Sequence, residues 1–592
     1  MKMLSFVIAL GMSAILALGA YAQSSTVETK QPKKYHSALA VKPKAPSIEV
    51  QLRDLKRDLQ SQLDDLKAKL DAKDAQIIAL QSAIKTTQDK TTAATAAVTT
   101  ADSHADETAA TVKGLQTFID TLQATDTKVV AKVGEVQKSQ EKIQKSLDEP
   151  VSLRYKGVTI TPGGFVAAES IWRQRAMNAD MYTNFNATPY LNSGEAYTSE
   201  WVPSARASRP SVFVSGKVPF GTLNSVFEAD FLSAGTTSNN LQSNSYTLRV
   251  RQAWGQVIAG SFKFTGGQMW TLLTENKKAT DAGQEALPLI FDGNLHVGDT
   301  YIRQTAFRFQ YAFTPKVTLA AALENSQYQF SASNAPSNFF FGSAGAVGGL
   351  NNPTANYTNQ VAPDGIIKLA FDPGYGHYEI GGVVRLFRDR YYPGTTAAGA
   401  RNDTRVGGGL VANARFPVTK MVDVGLHVVA GDGTGRYGVS LLPDVTVRPN
   451  GTLAPIRNAQ GLLSLEVHPT KKIDLFGYAG TEYAQRTYYV GTGGTLVGYA
   501  PPSANNSGCN TEGTPGSGTG YAPGVTSTCL GATRDIVQGS AGWAYRIYTG
   551  PAGRLQLGAA YSYLTREGWT GVGGAPKATN NFVYTSFRYF IP

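Results

Sequence analysis

The sequence predicts an all-β transmembrane barrel of about 16 antiparallel strands, with about 18 as the alternative count, preceded by an α-helical coiled-coil stalk. Three observations lead to this fold class: an export signal at the start, a long heptad pattern after it, and a period-two alternation of hydrophobicity in the rest of the 592-residue chain. Beyond the export signal no run of about 18 apolar residues remains. A chain without such a run crosses a membrane only as a closed barrel, because every backbone N–H and C=O group needs a hydrogen-bond partner within the lipid.

The first 22 residues form the predicted signal peptide. A positively charged start precedes an apolar run over residues 4–18, and Ala20 and Ala22 provide the small residues that a cleavage site requires. A transmembrane anchor is the alternative, but the apolar run is short and is interrupted by Gly and Ser. We therefore expect an exported protein, and residues 23–47 are assigned to a linker that contains Lys and Pro.

Residues 48–149 show strong helical periodicity and form the predicted stalk. Leucines at its start follow an eleven-residue repeat, and from Ile77 a heptad register continues to Leu147 without a break in phase. Asp126 and Gln140 place polar groups in the apolar seam, which costs stability and commonly fixes register and strand number. We expect a periplasmic coiled coil that either contacts the cell wall or serves as a spacer.

Residues 150–592 form the predicted barrel. The clearest strand is 307–313, where aromatic residues occupy one face and Arg, Gln and Ala the other, as expected at a lipid interface. Short turns alternate with long connections at about 178–207, 328–361 and 485–535, and long loops are external in bacterial barrels. The segments that show the alternation are 211–218, 224–232, 247–257, 307–313, 317–324, 365–371, 378–388, 408–416, 422–430, 462–468, 473–483, 538–548, 554–564 and 582–591.

The same alternation predicts which charged side chains face the lumen. Arg249 and Arg251 are two positions apart, so both face the same side of a strand. Their neighbours Leu248, Val250 and Trp254 would then face lipid. The predicted pore-lining residues are Arg249, Arg251, Arg303, Arg308, Arg385 and Arg415, with Glu228, Asp230 and Glu324 as acidic counterparts.

These charges support two interpretations. An arginine ring at a constriction replaces part of the hydration shell of an anion and raises the barrier for cations. Alternatively, the charges pair inside the lumen and hold loops in place. The net charge of +11 agrees with acidic partners, but nucleic acid is disfavoured because the chain has no long basic run and no recognition-helix pattern.

Cys509 and Cys529 lie in one segment rich in Gly, Ser, Pro and Asn, and in an exported protein they predict a disulfide within a long loop. Metal ligation is disfavoured because no His lies near them. The six histidines of the chain are scattered, and the Gly-rich run at 431–435 lacks the Lys of a phosphate-binding loop. We therefore expect neither an enzyme nor a metal or cofactor site.

Several short motifs in residues 150–590 resemble, in the same order, those of the DcaP-like trimeric outer-membrane porins. They include the segments 248–255, 267–271, 286–288 and 431–437. The resemblance implies a homotrimer with a 16-stranded barrel, passive uptake of small anions such as dicarboxylates, and a loop at about 270–292 that folds inward and narrows the lumen. The constriction residues implied in this loop are Trp270, Leu287, Pro288 and Asp292.

Together these features predict a porin in the outer membrane of a Gram-negative-type bacterium, with its stalk in the periplasm. The expected partners are further copies of the chain, outer-membrane lipid and lipopolysaccharide, and small anionic solutes, with peptidoglycan as a candidate partner of the stalk. The alternative function is a structural tether between the outer membrane and the cell wall.

Overall fold

The structure is a computed structural model that describes residues 76, 78–92, 105–148, 152–233, 246–279, 285–293, 295–344, 356–394, 396–520 and 522–592. The predicted signal peptide, the linker and the first part of the stalk lie outside these residues. Among the described residues, no helix combines the length and the apolar character needed to cross a membrane.

Helical conformation within the predicted stalk is described for residues 78–92 and for the long helix α1 (Ala105–Asp148). Its seam positions Leu115 and Leu122 are half-buried. Val130, which lies outside the predicted seam, is 59% exposed. The helical conformation of this segment therefore agrees with the heptad pattern, whereas its assembly into a coiled coil stays a prediction.

Within the described residues, sixteen antiparallel strands form a closed barrel, and we number them β1 to β16. Consecutive strands pair with each other, and β16 pairs with β1 from Phe165↔Phe590 to Arg173↔Phe582, which closes the sheet. The predicted count of 16 strands is thus confirmed over 18. The strands are β1 (Val158–Arg173), β2 (Arg209–Val218), β3 (Gly221–Asp230), β4 (Arg249–Ala259), β5 (Phe262–Trp270), β6 (Arg303–Thr314), β7 (Val317–Glu324), β8 (Asp364–Phe371), β9 (His377–Tyr391), β10 (Arg401–Thr419), β11 (Val422–Asp432), β12 (Arg457–Thr470), β13 (Ile473–Ala484), β14 (Thr533–Gly550), β15 (Gly553–Gly568) and β16 (Lys577–Phe590).

Two of these strands, β1 and β5, are absent from the segments predicted by alternation. In β1, Pro162 and the two glycines after it interrupt the pattern, yet the strand pairs with β2 through this stretch. In β5, Gly266 and Gly267 leave two consecutive positions without a side chain to show which face they occupy. Because pairing with neighbouring strands supplies the hydrogen bonds, the sheet continues where the local pattern is weak.

A β-bulge between β3 and β4 corrects one prediction. The register shifts between Glu228 and Ala229, so Arg251 and Gln252 both lie on the inner side of the barrel. Beyond the bulge, Trp254 faces the lumen rather than lipid, and its indole Nε1 donates to Gln252 Oε1 at 3.2 Å. Alternation alone places Trp254 on the wrong face, because the extra residue of a bulge moves every side chain that follows it to the opposite face of the sheet.

The largest apolar cluster of the molecule combines inward residues of the strands with buried side chains from four loops. The described residues of these loops lie within 174–199, 271–302, 433–456 and 485–532. The largest contribution comes from the loop between β5 and β6. Its buried apolar residues in this cluster are Ile290, Phe291, Leu295, Val297 and Tyr301.

The predicted disulfide between Cys509 and Cys529 is present, and it lies in the connection between β13 and β14. Its two cysteines are 20 positions apart and lie outside every barrel strand. A bond that closes a loop of this size is worth about 3 kcal/mol at most in the chain-entropy model, and only locally.

We predict that replacing both Cys509 and Cys529 by Ser leaves the barrel folded, because the loop that the bond closes contains no barrel strand. The heat-resistant mobility of the folded protein in gel electrophoresis is the measurement, and limited proteolysis reports the loop. The expected change is faster cleavage between residues 500 and 530 with unchanged mobility. Loss of the heat-resistant form would show instead that the loop takes part in barrel assembly.

Candidate pore and its basic cavity

The first half of the loop over residues 271–302 is fastened to the wall formed by β7 to β10. The backbone N–H of Leu272 donates to Glu324 Oε1 at 2.8 Å. Glu275 Oε1 lies 2.6 Å from Arg415 Nε in a buried ion pair. The N–H of Ala279 donates to Asp372 in the turn after β8 at 3.0 Å.

The second half of the same loop bonds to the opposite side of the barrel. The N–H groups of Val297 and Gly298 donate to Gln538 Oε1 at 2.9 Å and to Glu482 Oε1 at 3.0 Å, on β14 and β13 respectively. The N–H of Leu289 donates to the hydroxyl of Tyr478 at 2.9 Å. Backbone donors bonded to wall side chains hold the loop across the lumen on this side.

The residues that the family resemblance implied as a constriction occupy different environments. Trp270 ends β5 and is buried, with the guanidinium groups of Arg303 at 4.8 Å and Arg251 at 5.8 Å from its ring. Leu287 is partly buried, and Pro288 is buried. Asp292 is buried and accepts hydrogen bonds from the N–H of Thr183 at 3.0 Å and the hydroxyl of Tyr584 at 3.3 Å, so it fastens the loop rather than facing open lumen.

The inward loop extends beyond residue 292, where the family resemblance implied that it ends. The loop continues to Ile302, directly before β6. The bonds to β13 and β14 come from residues 297–298, beyond the expected limit.

Two predicted pore-lining arginines on β4 are in ion pairs. Arg249 Nη2 lies 2.8 Å from Asp230 Oδ2. Arg251 is fully buried and contacts both Glu228 Oε1 at 2.7 Å and Asp230 Oδ2 at 2.9 Å. The two positive charges are therefore balanced by the two acidic residues of β3, as the second of the two sequence interpretations requires.

The arginines on β9 and β10 fasten loops to the wall. Arg385 contacts Asp364 at 3.0 Å and Asp444 at 2.7 Å, and Asp444 belongs to the inward loop over residues 433–456. Arg415 holds Glu275 and lies 3.6 Å from Glu466 Oε1. Both arginines stabilise the interior of the barrel through charge pairs.

Two other predicted arginines form no ion pair within 4.0 Å among the described residues. Arg303 stacks on Trp270 and lies 5.1 Å from the ring of Tyr301. Arg308 is buried and donates to the carbonyl oxygen of Trp270. The predicted acidic residue Glu324 bonds to the inward loop and to Gln304 rather than to an arginine.

A cavity of about 510 Å³ lies between the wall formed by β2 to β6 and the inward loop. Five basic and two acidic side chains line it, so its described lining carries an excess of three positive charges (5 − 2 = 3). Its charged residues are Arg209, Arg251, Lys263, Lys277 and Arg308, with Glu228 and Glu285.

Sequence reasoning missed three of these basic residues. Arg209 lies two positions before Ser211, the start of the predicted strand 211–218, so the two side chains face the same side. Extending that strand by two residues would have placed Arg209 on it. Lys263 lies on β5, which alternation did not detect. Lys277 is in the inward loop, where no periodic pattern indicates the direction of a side chain.

Comparison with known proteins places the fold. No protein-family model and no curated protein matches the chain. Among solved structures, the outer membrane channel DcaP of Acinetobacter baumannii matches with a TM-score of 0.51 and 13% identity, over 74% of this chain and 100% of that chain. An anion-selective porin from Comamonas acidovorans has a TM-score of 0.39 and 10% identity, over 73% of this chain and 100% of that chain.

A third solved structure, OprB of Pseudomonas putida, has a TM-score of 0.38 and 10% identity, over 75% of this chain and 96% of that chain. The Comamonas and Pseudomonas matches are too distant to support an argument. The likeness to DcaP confirms, at the level of the fold, the resemblance that the sequence motifs indicated.

Proposed function

We propose that this chain, whose barrel has the fold of the DcaP channel, is itself an outer-membrane porin for passive diffusion of small anionic solutes. The observation that carries the proposal is the excess of basic side chains around the cavity between the inward loop and β2 to β6. The loop is bonded to β7, β10, β13 and β14. The cavity therefore lies on the side of the lumen where the loop leaves space.

Anion preference follows from the excess of positive over negative side chains around the cavity. Arg251 is in direct contact with two carboxylates, whereas Arg209 interacts with Glu228 only beyond ion-pair distance and Lys277 forms no ion pair with a described residue. An uncompensated cation in a confined, partly dehydrated space lowers the energy of an entering anion and raises that of a cation. Arg209 is on the wall and Lys277 is on the loop, so a solute in the cavity meets positive charge from two sides.

The preferred solutes are proposed to be small dicarboxylates, as the family resemblance implies. Two separated positive groups suit a solute with a negative charge at each end. The test is swelling of liposomes that contain the full-length protein, in dicarboxylates and in diamines of equal carbon number. We expect faster swelling in the dicarboxylates, and equal or faster swelling in the diamines would contradict the proposal.

The outer surface of the barrel supports its proposed place in the outer membrane. Outward side chains on the strands are largely apolar and exposed, with Phe307 at 54% and Leu410 at 70%. Such a band is typical of a lipid-facing barrel wall. We further propose that the chain is exported by the signal peptide over residues 1–22, that it assembles as a homotrimer, and that outer-membrane lipid and lipopolysaccharide surround it.

We also propose that residues 48–149 form a periplasmic coiled coil whose seam contains Asp126, with peptidoglycan as its candidate partner. Replacing Asp126 by Ile is expected to raise by several degrees the temperature at which full-length protein loses its helical circular dichroism signal. The reason is that a polar seam residue costs stability. The matched control is Lys128→Ile, because Lys128 is exposed and lies outside the predicted seam. An equal rise in both variants would mean that residue 126 is not in a seam.

A further inference from the structure

Two arginines on β9 point away from the barrel interior. Their neighbours Phe387 and Asp389 are both fully buried inside the barrel. Because successive side chains of a strand point to opposite faces, Arg388 and Arg390 lie on the outer, membrane-facing wall. Arg385, a predicted pore-lining residue of the same strand, points the opposite way and is buried on the inner side.

The height of these arginines coincides with the end of the apolar band. Arg388 is eleven residues after His377, the first residue of β9 at its short-turn end. Eleven residues span about 36 Å of strand, or about 28 Å along the barrel axis at a tilt of about 40°. Below it the outward residues Ile380 and Val384 are apolar and exposed. The arginines therefore lie just beyond an apolar band that is about 25 Å tall in such barrels, on the side of the long loops.

Both arginines have only neutral partners among the described residues. Arg388 Nε donates to Thr404 Oγ1 at 2.8 Å, and Arg390 Nη1 donates to Asn402 Oδ1 at 3.2 Å. The Arg390 guanidinium also lies 5.8 Å from the ring of Tyr392. These contacts hold the side chains in place and leave other guanidinium N–H groups for an external acceptor.

Another outward-facing arginine, in contrast, has a carboxylate partner. Arg457, on β12, forms an ion pair with Asp432 of the adjacent strand at 3.0 Å. Arg388 and Arg390 have a hydroxyl and an amide where Arg457 has a carboxylate. Two adjacent cations without a carboxylate repel each other, and an anion that binds to both removes this repulsion.

We propose that Arg388 and Arg390 form a binding site for a phosphate group of lipopolysaccharide in the outer leaflet. A guanidinium group binds phosphate through two parallel hydrogen bonds, and the neighbouring Asn402 and Thr404 offer further polar groups at the same height. The location at the external edge of the apolar band is where the phosphorylated headgroup of this lipid lies when its acyl chains cover the wall. The inference rests on the outer-membrane placement proposed above but is independent of which solute passes through the pore.

The test uses full-length protein extracted from outer membranes, with lipid A phosphate quantified per barrel after detergent washing. We expect the Arg388→Gln, Arg390→Gln double variant to retain at most about a tenth of the lipopolysaccharide that the parent protein retains. The reason is that each arginine near an anionic membrane surface adds a favourable attraction. The Arg388→Lys, Arg390→Lys double variant keeps the charge but not the two parallel hydrogen bonds, so it should retain more lipid than the Gln variant and less than the parent protein. It also serves as the folded reference if the Gln variant is unstable.

The matched control is Arg405→Gln on β10. Arg405 lies at the same height but pairs in register with the inward residue Phe387, and it forms an ion pair with Asp403 at 2.6 Å. If this control loses as much lipid as the Gln double variant, the effect is due to net charge and the proposed binding site is wrong. Unchanged retention in the Gln double variant would overturn it as well.

The chemistry of the headgroup is tested separately with vesicles that contain either bisphosphorylated or dephosphorylated lipid A. The parent protein should bind the phosphorylated form more tightly, and the Gln double variant should bind the two forms alike. If the double variant keeps its lipid but its oligomer dissociates, the arginines contact a neighbouring subunit and the proposal is wrong. Lipid retention is measured without solute flux, so a failure of the proposed transport function would not affect this result.

Discussion

Removing the charges of Arg209 and Lys277 together is expected to take away most of the anion preference of the pore. These two residues line the basic cavity, one from the wall and one from the inward loop, and Arg209 interacts with Glu228 only beyond ion-pair distance. Replacing both by Gln keeps much of the side-chain bulk and reduces the excess positive charge of the lining from three to one (3 − 2 = 1). The local potential that attracts anions should fall accordingly.

The measurement is the reversal potential across a tenfold salt gradient, where ideal selectivity for one sign of charge gives about 59 mV. We expect the reversal potential of the double variant to shift toward cation preference by at least about a third of this span, because the excess charge at a narrow passage controls ion entry. The control is Arg249→Gln, whose charge is paired with Asp230 at 2.8 Å and does not line the cavity. A shift in the control as large as that in the double variant would mean that the bulk charge of the lumen sets selectivity.

Replacing Arg415 by Ala is expected to raise the conductance of the pore and its current noise. Glu275 would lose its ion-pair partner while its side chain remains only 7% exposed. Removing one partner of a buried pair costs about 3–5 kcal/mol, because the remaining charge is left without compensation. The inward loop can avoid this cost by moving Glu275 into water, which releases its first half from the wall.

We expect the released loop to raise single-channel conductance by about twofold, since the passage beside the loop limits ion flow. The matched control is Arg457→Ala, which removes an arginine from an ion pair on the outer surface, where Arg457 is 67% and Asp432 is 48% exposed. This control should leave conductance and noise unchanged. An unchanged conductance in Arg415→Ala would show that the other wall bonds are sufficient to hold the loop.

The barrel was predictable from sequence wherever side chains alternate regularly. The aromatic outward face of 307–313 was assigned correctly, and Phe307 and Phe309 are exposed while Arg308 is buried. Prediction failed at positions that alternation does not describe. Pro162 interrupts β1, and the bulge beside Glu228 turns Trp254 inward, because the fold of these segments depends on pairing with neighbouring strands.

The candidate site was only partly predictable for a related reason. Alternation shows that Arg251 faces inward, but it does not show that Glu228 and Asp230 lie within 3 Å of it, which depends on strand register. Arg415 and Arg385 were expected to attract anions, yet their partners Glu275 and Asp444 come from distant loops that fold into the barrel. Long-range contacts of this kind leave no local pattern in the sequence.

The proposed anion preference depends on an excess of positive charge in the lumen. The most direct test is the reversal potential of the unmodified full-length protein in a planar bilayer across a tenfold potassium chloride gradient. We expect a stable conductance with a reversal potential of the sign set by chloride. A reversal potential of the sign set by potassium, or a barrel that does not conduct, would contradict it.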